Sequence, residues 1–370
     1  LPQALPIEKQ IVKAARTHRV AVVYNEPKHT PIEEHWLSHS GENDSTTHPE
    51  FRDSSEFGVL EQMNSIAAAL QTNGHEVLTF SADDDVMRLC NFIATEKPDV
   101  IFNCCESILG QSSLEMNVAA VYELFGIPYT GSPSLTLGIA LNKALTKDLL
   151  LANGISTPRH LEIRPGALVP SPEHLEFPLI VKPIKEDASI GIDDKAIVYS
   201  LAELRARVQF VHDEFRQAAL VEEFIDGREL NVGVIGTSKD GLTTLPISEI
   251  TFDAMPPGAA RIVSYEAKWV EESPLYKTTI AVCPAILDEA KAMEASELAL
   301  RAANVLGIRD YGRVDMRLRD RDGKLFVLEA NPNPDISEDA GFMRAARESG
   351  RTFVGTINEI VTLTIERSAE

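Results

Sequence analysis

The chain alternates short apolar runs with longer amphipathic stretches. "HRVAVVYN" (18–25) is apolar almost throughout and predicts a buried strand. Residues 27–56 break the pattern: they are polar, with histidines, prolines and many acids, and predict a long loop or insertion. "SEFGVLEQMNSIAAALQTNG" (55–74) spaces its apolar residues as a helix does and closes on Gly74. "HEVLTF" predicts a strand, "DDVMRLCNFIATEKP" a helix ended by Pro98, and "DVIFNCC" a further strand. "SSLEMNVAAVYELFG" predicts a helix opened by a capping box of Ser112 and Glu115. Strand and helix take turns, so residues 1–130 are expected to form a parallel α/β domain.

After "IPYTGSPS" the pattern predicts one long helix, "LTLGIALNKALTKDLLLANG", stopped by Gly154 and Pro158. "FPLIVKP" (177–183) predicts a strand, "EDASIGI" a loop and "AELRARVQFVHDEF" a helix. "AALVEEFIDGREL" and "NVGVIG" predict strands about a turn at Asp226-Gly227. Farther on, "RVDMRLRD" and "KLFVLEAN" are strands joined by a turn at Asp322-Gly323. Helices at 287–306 and 339–349 flank them, and a C-terminal helix follows. The fold class is α/β, with an α+β smaller lobe. A central unit is expected over 131–220 and a C-terminal unit over 221–370. There are no internal repeats.

A chain of 370 residues with 44% hydrophobic and 25% charged residues can bury large cores without covalent staples. Its four cysteines are too few and irregular for a disulfide scaffold, and a cytoplasmic location is expected. The adjacent Cys104 and Cys105 lie in an apolar run and are read as core thiols; a nucleophile is the alternative, but no histidine stands near. No signal-peptide series opens the chain, and no apolar run is long enough for a membrane span. The formal charge of −21 argues against nucleic acid or an anionic membrane as partner. A polyanionic ligand would have to be met by a few concentrated lysines and by metal ions.

The last hairpin carries candidate chemistry. Side chains on a strand alternate, so Arg313 and Asp315 share a face, as do Glu329 and Asn331. A turn at 322–323 brings Asp315 opposite residue 330, give or take one, and makes Asp315 and Glu329 cross-strand neighbours. Two carboxylates that close repel unless a cation lies between them. With the amide oxygen of Asn331 they form an oxygen-only set suited to Mg²⁺ or Mn²⁺. The competing reading is a solvated hairpin. Elsewhere, His35 and His39 stand four apart beside Glu33 and Glu34, but no further ligands have fixed spacing, so a polar loop is expected.

In order along the chain, "IPYTGSPSLTLGIALNKALTKDLLLANGISTP", "FPLIVKP", "VEEFIDGREL", "YEAKW" and "GRVDMRL…FVLEANPNP" resemble the motifs of D-alanine–D-alanine ligases, over roughly residues 126–335. The resemblance implies a three-domain ATP-grasp architecture, ATP and two Mg²⁺ ions as cofactors, and a homodimer. It implies that Lys143, Lys182 and Lys268 meet the phosphates, with Ser189 and Gly191 in the loop that covers them. By the same likeness Glu222 receives the adenine amine, Phe224, Ile225 and Leu328 line the base site, and Glu229 bonds the ribose. Asp315, Glu329 and Asn331 correspond to metal ligands, and Arg313 to the arginine that steadies the acyl phosphate. Without the resemblance, Lys143 and Lys147 would read as a solvated helix face, whereas Lys182 ends an apolar strand.

The amino-acid half of the resemblance is altered. Such ligases have a glycine- and serine-rich motif with a glutamate after the first strand, where this chain reads "YNEPKH" with Glu26. A later histidine signature is replaced by "NCCESILGQ", with Glu106 near its place. Asp335 stands at a glycine position, and Ala340-Gly341 replaces a Ser-Leu pair whose serine holds the acceptor carboxylate. Glu26, Glu106, Asn333 and Asp335 are therefore the candidate substrate contacts. The expected activity is ATP-dependent joining of a small carboxylic acid to an amine, amino acid or peptide through an acyl phosphate, with substrates other than two D-alanines. The alternatives are a true D-alanine–D-alanine ligase and a nucleotide-binding regulatory protein without ligation.

Overall fold

The computed structural model describes residues 17–25, 50–82, 85–109, 111–186, 189–237, 241–256 and 258–369, with the backbone alone at 50–58. Glu26 and the histidine-rich stretch lie outside the described residues, except that a helix already begins at Glu50.

The first unit consists of β1 (Arg19–Tyr24), α1 (Glu50–Thr72), β2 (Glu76–Ser81), α2 (Val86–Glu96), β3 (Val100–Cys104) and α3 (Glu115–Phe125). Its strands are parallel in the order β2-β1-β3, as the alternation requires. Both faces are covered. Val20 and Val22 pack with Ile66 and Leu70 of α1, while Ala21 and Val23 pack with Leu89, Ile93 and Val118 on the other side. That double burial is why β1 reads as an unbroken apolar run. The capping box at Ser112 and Glu115 does not form. Ser112–Leu114 make a 3₁₀ turn, Leu114 holds the cap position without a side-chain bond, and the Glu115 carboxylate accepts from Asn333 instead.

The expected long helix is two, α4 (Ser134–Leu141) and α5 (Lys143–Ala152). Asn142 leaves helical geometry and its side chain accepts from Leu145 N, so a good N-cap residue opens a new helix. A four-stranded antiparallel sheet follows, in the order β4 (His160–Ile163), β7 (Ala219–Glu223), β5 (Leu179–Pro183), β6 (Ile197–Val198). Its back packs on α6 (Leu201–Phe215) through Leu179, Val181, Ala219 and Val221. The two-residue period turns Ile180, Lys182, Leu220 and Glu222 to the opposite face.

Asp226-Gly227 is not the hairpin turn the sequence suggested. Residues 224–226 carry the chain from β7 into a second sheet, where β8 (Gly227–Thr237) pairs with other partners. The added Cβ of any other residue at Gly227 would lie 2.0 Å from Leu318 O, so only glycine fits where β8 enters against β12. This sheet has the order β11 (Ile280–Val282), β10 (Ser248–Thr251), β8, β12 (Asp310–Arg319), β13 (Leu325–Asn331), with β9 (Gly241–Thr244) also on β8. One face packs on α9 (Glu289–Leu306) through Leu230, Val232, Val314, Met316 and Val327. The other packs on α10 (Gly341–Glu348) and α11 (Phe353–Ser368), which join it to β1 and α1 through Tyr311, Phe342 and Ile357. Two short helices, α7 (Tyr265–Trp269) and α8 (Pro274–Thr278), precede β11.

Candidate active site

The final hairpin sets the centre. β12 and β13 pair Met316 with Val327 but Asp315 with Glu329, so Leu328 is an extra residue. This bulge reverses the alternation. Leu325 and Val327 point to the core before it, Ala330 after it, and Glu329 and Asn331 come round to the face of Asp315 and Arg313. On the other side of β12, Asn231 of β8 stands opposite Asp315.

Asp315 is buried and saturated with donors. Arg313 Nε and Nη2 bind its two oxygens at 2.7 and 2.8 Å. Asn231 Nδ2 donates to Oδ1 at 2.6 Å and Asn331 Nδ2 to Oδ2 at 2.9 Å. Glu329 differs: its carboxylate makes no hydrogen bond and no ion pair within 4.0 Å among the described residues. Burial alone would raise its pKa, but Lys143, Lys182, Arg313 and Lys268 together hold it below the ordinary carboxylate range. A partly buried carboxylate without a direct donor, facing four cations and a second carboxylate, is chemically ready for a divalent ion.

Cations approach from three elements. Lys143 opens α5, is buried, and donates to Glu186 O at 2.7 Å. Lys182 comes from the open face of β5 and pairs with Glu222 Oε2 at 2.9 Å. Lys268 in α7 lies within electrostatic reach of Arg313, Glu329, Asp315 and Glu106, and desolvation lowers its pKa. Lys143, Lys182, Ser189 and Glu329 enclose a cavity of about 60 Å³. Its roof is the loop after β5. Ser189 and Gly191 adopt left-handed conformations there, with φ of 62° and 76°. Ser189 Oγ donates to Val263 O, and Tyr265 N donates to Ile192 O, which joins this loop of the smaller sheet to the segment entering α7. Beyond it a cleft of about 1910 Å³ opens toward residues 224–226, lined by Ile192, Phe224, Ile225, Arg261 and Tyr265.

Glu222 lies at the inner end of the open face. It meets Lys182 on one oxygen and Lys147 Nζ, at 2.7 Å, on the other. Burial opposes its charge, but the two ammoniums more than compensate and hold its carboxyl at about 2. Glu229 is held by Arg317 Nη2 at 2.7 Å. Burial raises the Glu229 pKa and the guanidinium counteracts that. Arg317 also donates to Gly227 O and Arg261 O and lies near the rings of Phe224 and Phe252.

Residues 153–362 match the family model "D-ala D-ala ligase C-terminus". The chain belongs to the D-alanine–D-alanine ligase family. It is 33% identical to an uncharacterized protein of Sinorhizobium fredii over 82% of this chain and 87% of that one. It is 29% identical to a D-alanine–D-alanine ligase of Aquifex aeolicus over 82% of this chain and 94% of that enzyme. The fold agrees with the crystal structure of a D-alanine–D-alanine ligase from Bacillus anthracis complexed with ATP, with a TM-score of 0.69, 21% identity, and 95% and 99% of the two chains covered. As a member of this family the protein is an ATP-grasp ligase that forms carbon–nitrogen bonds.

In this ligase the residues singled out from sequence divide into three groups. Lys143, Lys182, Lys268, Ser189, Arg313, Asp315, Glu329 and Asn331 converge on one centre. Phe224 and Ile225 line the large cleft, Glu229 is tied to Arg317, and Leu328 forms the bulge, its carbonyl accepting from Lys147. The candidate substrate contacts are more scattered. Glu106 is exposed at the end of β3, where Asn25 Oδ1 accepts from its backbone N–H. Asn333 is spent on Tyr311, Cys105 O and Glu115, a tie between the two large units. Asp335 is exposed, caps Ser337 N at 2.8 Å, and lies within electrostatic reach of Arg313. It does not start a helix; the next is α10, whose N-cap is Ala340.

Sequence reasoning missed Asn231, Arg317 and Lys147. The first two had a faint signal, since polar Glu229 and Asn231 interleave with buried Leu230 and Val232, and Arg317 continues the face of Arg313 and Asp315. Lys147 corrects the idea of a solvated helix face: it is 0% exposed, and Lys143 is 6% exposed. Cys104 and Cys105 are free thiols, Cys105 buried and Cys104 partly so, and burial pushes the Cys104 pKa well up, as core packing implies. No described helix is long and apolar enough to cross a membrane.

Proposed function

We propose that the protein is an ATP- and Mg²⁺-dependent carboxylate–amine ligase whose acceptor is not D-alanine. The observation that carries this reading is the pairing of an intact charge-handling centre with Asp335 beside it. Glu329 would hold one or two Mg²⁺ ions, joined by Asp315 and Asn331 once the Asn231 and Asn331 amides release the Asp315 oxygens and Asn331 turns its own oxygen inward; the ions would draw charge from the phosphates. Lys143, Lys182 and Lys268 would bind the polyphosphate under the loop of Ser189 and Gly191. Glu222 would receive the base amine, and Glu229 the ribose hydroxyls. The donor carboxylate attacks the terminal phosphate to give an acyl phosphate and ADP. An amine then attacks the acyl carbon, and phosphate leaves. Arg313, fixed in plane by Asp315, faces the developing negative charge of both steps.

The D-alanine–D-alanine ligases among the relatives favour a second reading, that of the cell-wall enzyme itself. Asp335 speaks against it. A carboxylate on the acceptor about 4 Å from Asp335 would be repelled by about 4 kcal/mol at an effective dielectric near 20. The two readings separate in an amine panel that follows ADP release and product mass. The wild type should use amines that lack a carboxylate or carry a cation or hydroxyl there, and Asp335→Gly should gain D-alanine as acceptor. Efficient D-alanyl-D-alanine synthesis by the wild type would restore the second reading.

A further inference from the structure

Lys147 is the most enclosed cation near the site. It is 0% exposed and does not border the small cavity that Lys143 and Lys182 line. An ammonium has three N–H donors; two are placed in hydrogen bonds, and the third group beside Nζ is a carboxylate oxygen at ion-pair distance. Lys147 Nζ donates to Thr157 Oγ1 at 3.0 Å and to Leu328 O at 3.0 Å, and lies 2.7 Å from Glu222 Oε1. These partners come from three places: the segment before β4, the bulge of β13 and the open face of β7. The bulge that turns Glu329 to the metal side thus also supplies the carbonyl that anchors Lys147.

We infer that Lys147 is a positioning residue for nucleotide recognition: it holds one oxygen of Glu222 and leaves Lys182 free to exchange that carboxylate for phosphate. The inference rests on the nucleotide reading given above. A lysine is a costly way to join three elements, because an apolar side chain of similar length would fill the space without desolvating a charge. The ammonium is explained by Glu222. With Lys182 alone, Glu222 would form a closed one-to-one pair, and a nucleotide would have to break it at full cost. With Lys147 in place the cluster has two ammoniums and one carboxylate. Lys182 can then leave without stranding Glu222, whose carboxylate stays oriented toward an amine donor.

Calorimetry with Mg²⁺ and either ATP or ITP, in which a carbonyl replaces the base amine, tests this on the full chain. The wild type should prefer ATP by about 10- to 100-fold, the scale of one hydrogen bond to a charged group. Lys147→Met should reduce the preference to about twofold and weaken ATP more than ITP, and in a Glu222→Gln background it should change the preference no further. A folded Lys147→Met variant that keeps the wild-type preference overturns the inference while leaving nucleotide binding intact. Failure of the wild type to bind ATP at all, or equal binding of the two nucleotides, removes the base-reading role of Glu222 and the inference with it. If Lys147→Met does not fold, Thr157→Val removes one anchor at little packing cost, and the preference should fall by about threefold; an unchanged preference in that variant equally overturns it.

Discussion

Glu222→Gln keeps the side chain's shape and removes the one negative charge between two buried ammoniums. Lys147 and Lys182 lie 2.7 and 2.9 Å from its oxygens, and the three side chains are 1%, 11% and 2% exposed in the order Lys147, Lys182, Glu222. Removing one partner of a buried ion pair costs about 3–5 kcal/mol, because the remaining charge stays desolvated. A second route gives a similar size. The carboxyl moves from an ordinary 4.5 to about 2 on folding, which is equivalent to about 3 kcal/mol of stability. The sign follows from the direction. Since the folded pKa is depressed, the contribution is complete above pH 4.5 and is lost as pH falls toward 2. Burial lowers the Lys147 pKa, so in the variant the unfolded chain binds more protons than the folded one at alkaline pH, and stability recovers as pH rises. Denaturant unfolding of nucleotide-free wild type and variant, from pH 3 to pH 10, should show a gap of about 3 kcal/mol at pH 7 that narrows at both ends. A gap below about 1 kcal/mol at pH 7, or one that widens on acidification, would refute this account of the cluster.

Three other outcomes are expected. Lys182→Ala should weaken ATP binding by about 1.5–3 kcal/mol, read by calorimetry, as a lost charge-assisted hydrogen bond does; unchanged affinity removes Lys182 from the phosphate site. Glu329→Gln should leave the circular dichroism spectrum unchanged and reduce kcat by about 100-fold or more at saturating Mg²⁺, since one ligand charge of the metal centre is gone; near-normal turnover would mean the metal lies elsewhere. Gly191→Ala should strain the loop by about 1–2 kcal/mol, because φ is positive, and its Cβ would lie 2.7 Å from Pro183 Cγ; the KM for ATP should rise, and an unaltered KM would show that this loop does not cover the phosphates.

The parts of this site that sequence revealed are those governed by local periodicity. Alternation placed Arg313 with Asp315 and Glu329 with Asn331, and a short hairpin made the two pairs neighbours. The register within that hairpin was not legible. The turn is longer than the Asp322-Gly323 dipeptide suggests, with strand pairing ending at Leu318 and Leu325, and the bulge at Leu328 then shifts the pairing by one residue. Nothing in "FVLEAN" announces a bulge, since Leu328 is as apolar as its neighbours. Lys147 was hidden for a different reason. Helical spacing from Lys143 puts both on one face of α5, but what covers that face is β7 and β13, which are 75 and 181 residues away. The break at Asn142 had a local signal, a favoured N-cap residue before Lys143, which the continuous apolar pattern on both sides outweighed.

Charge links these observations. The chain has a formal charge of −21, yet Lys143, Lys182, Lys268 and Arg313 all act on Glu329. At physiological ionic strength a surface charge is screened beyond about 8 Å, so a bound polyanion responds to these near cations rather than to the net acidity of the surface. The same centre is acidic on its other flank. Glu106 lies within electrostatic reach of Lys268, and Asp335 within reach of Arg313. On the function proposed above, one half of the site would present cations to phosphate, and the other would present carboxylates to the amine. Arg313 is fixed by both oxygens of Asp315 and is acted on by Glu329 and Asp335 as well. On that reading an amine entering from the acidic flank would be attracted as a cation, and Glu106 and Asp335 would be the carboxylates near it when it loses the proton it must shed to attack. An acceptor bearing its own carboxylate would gain the first of these effects at its amine and lose it at its acid, so on the proposed function the change at Asp335 would bear on the choice of substrate and not on the chemistry of the bond.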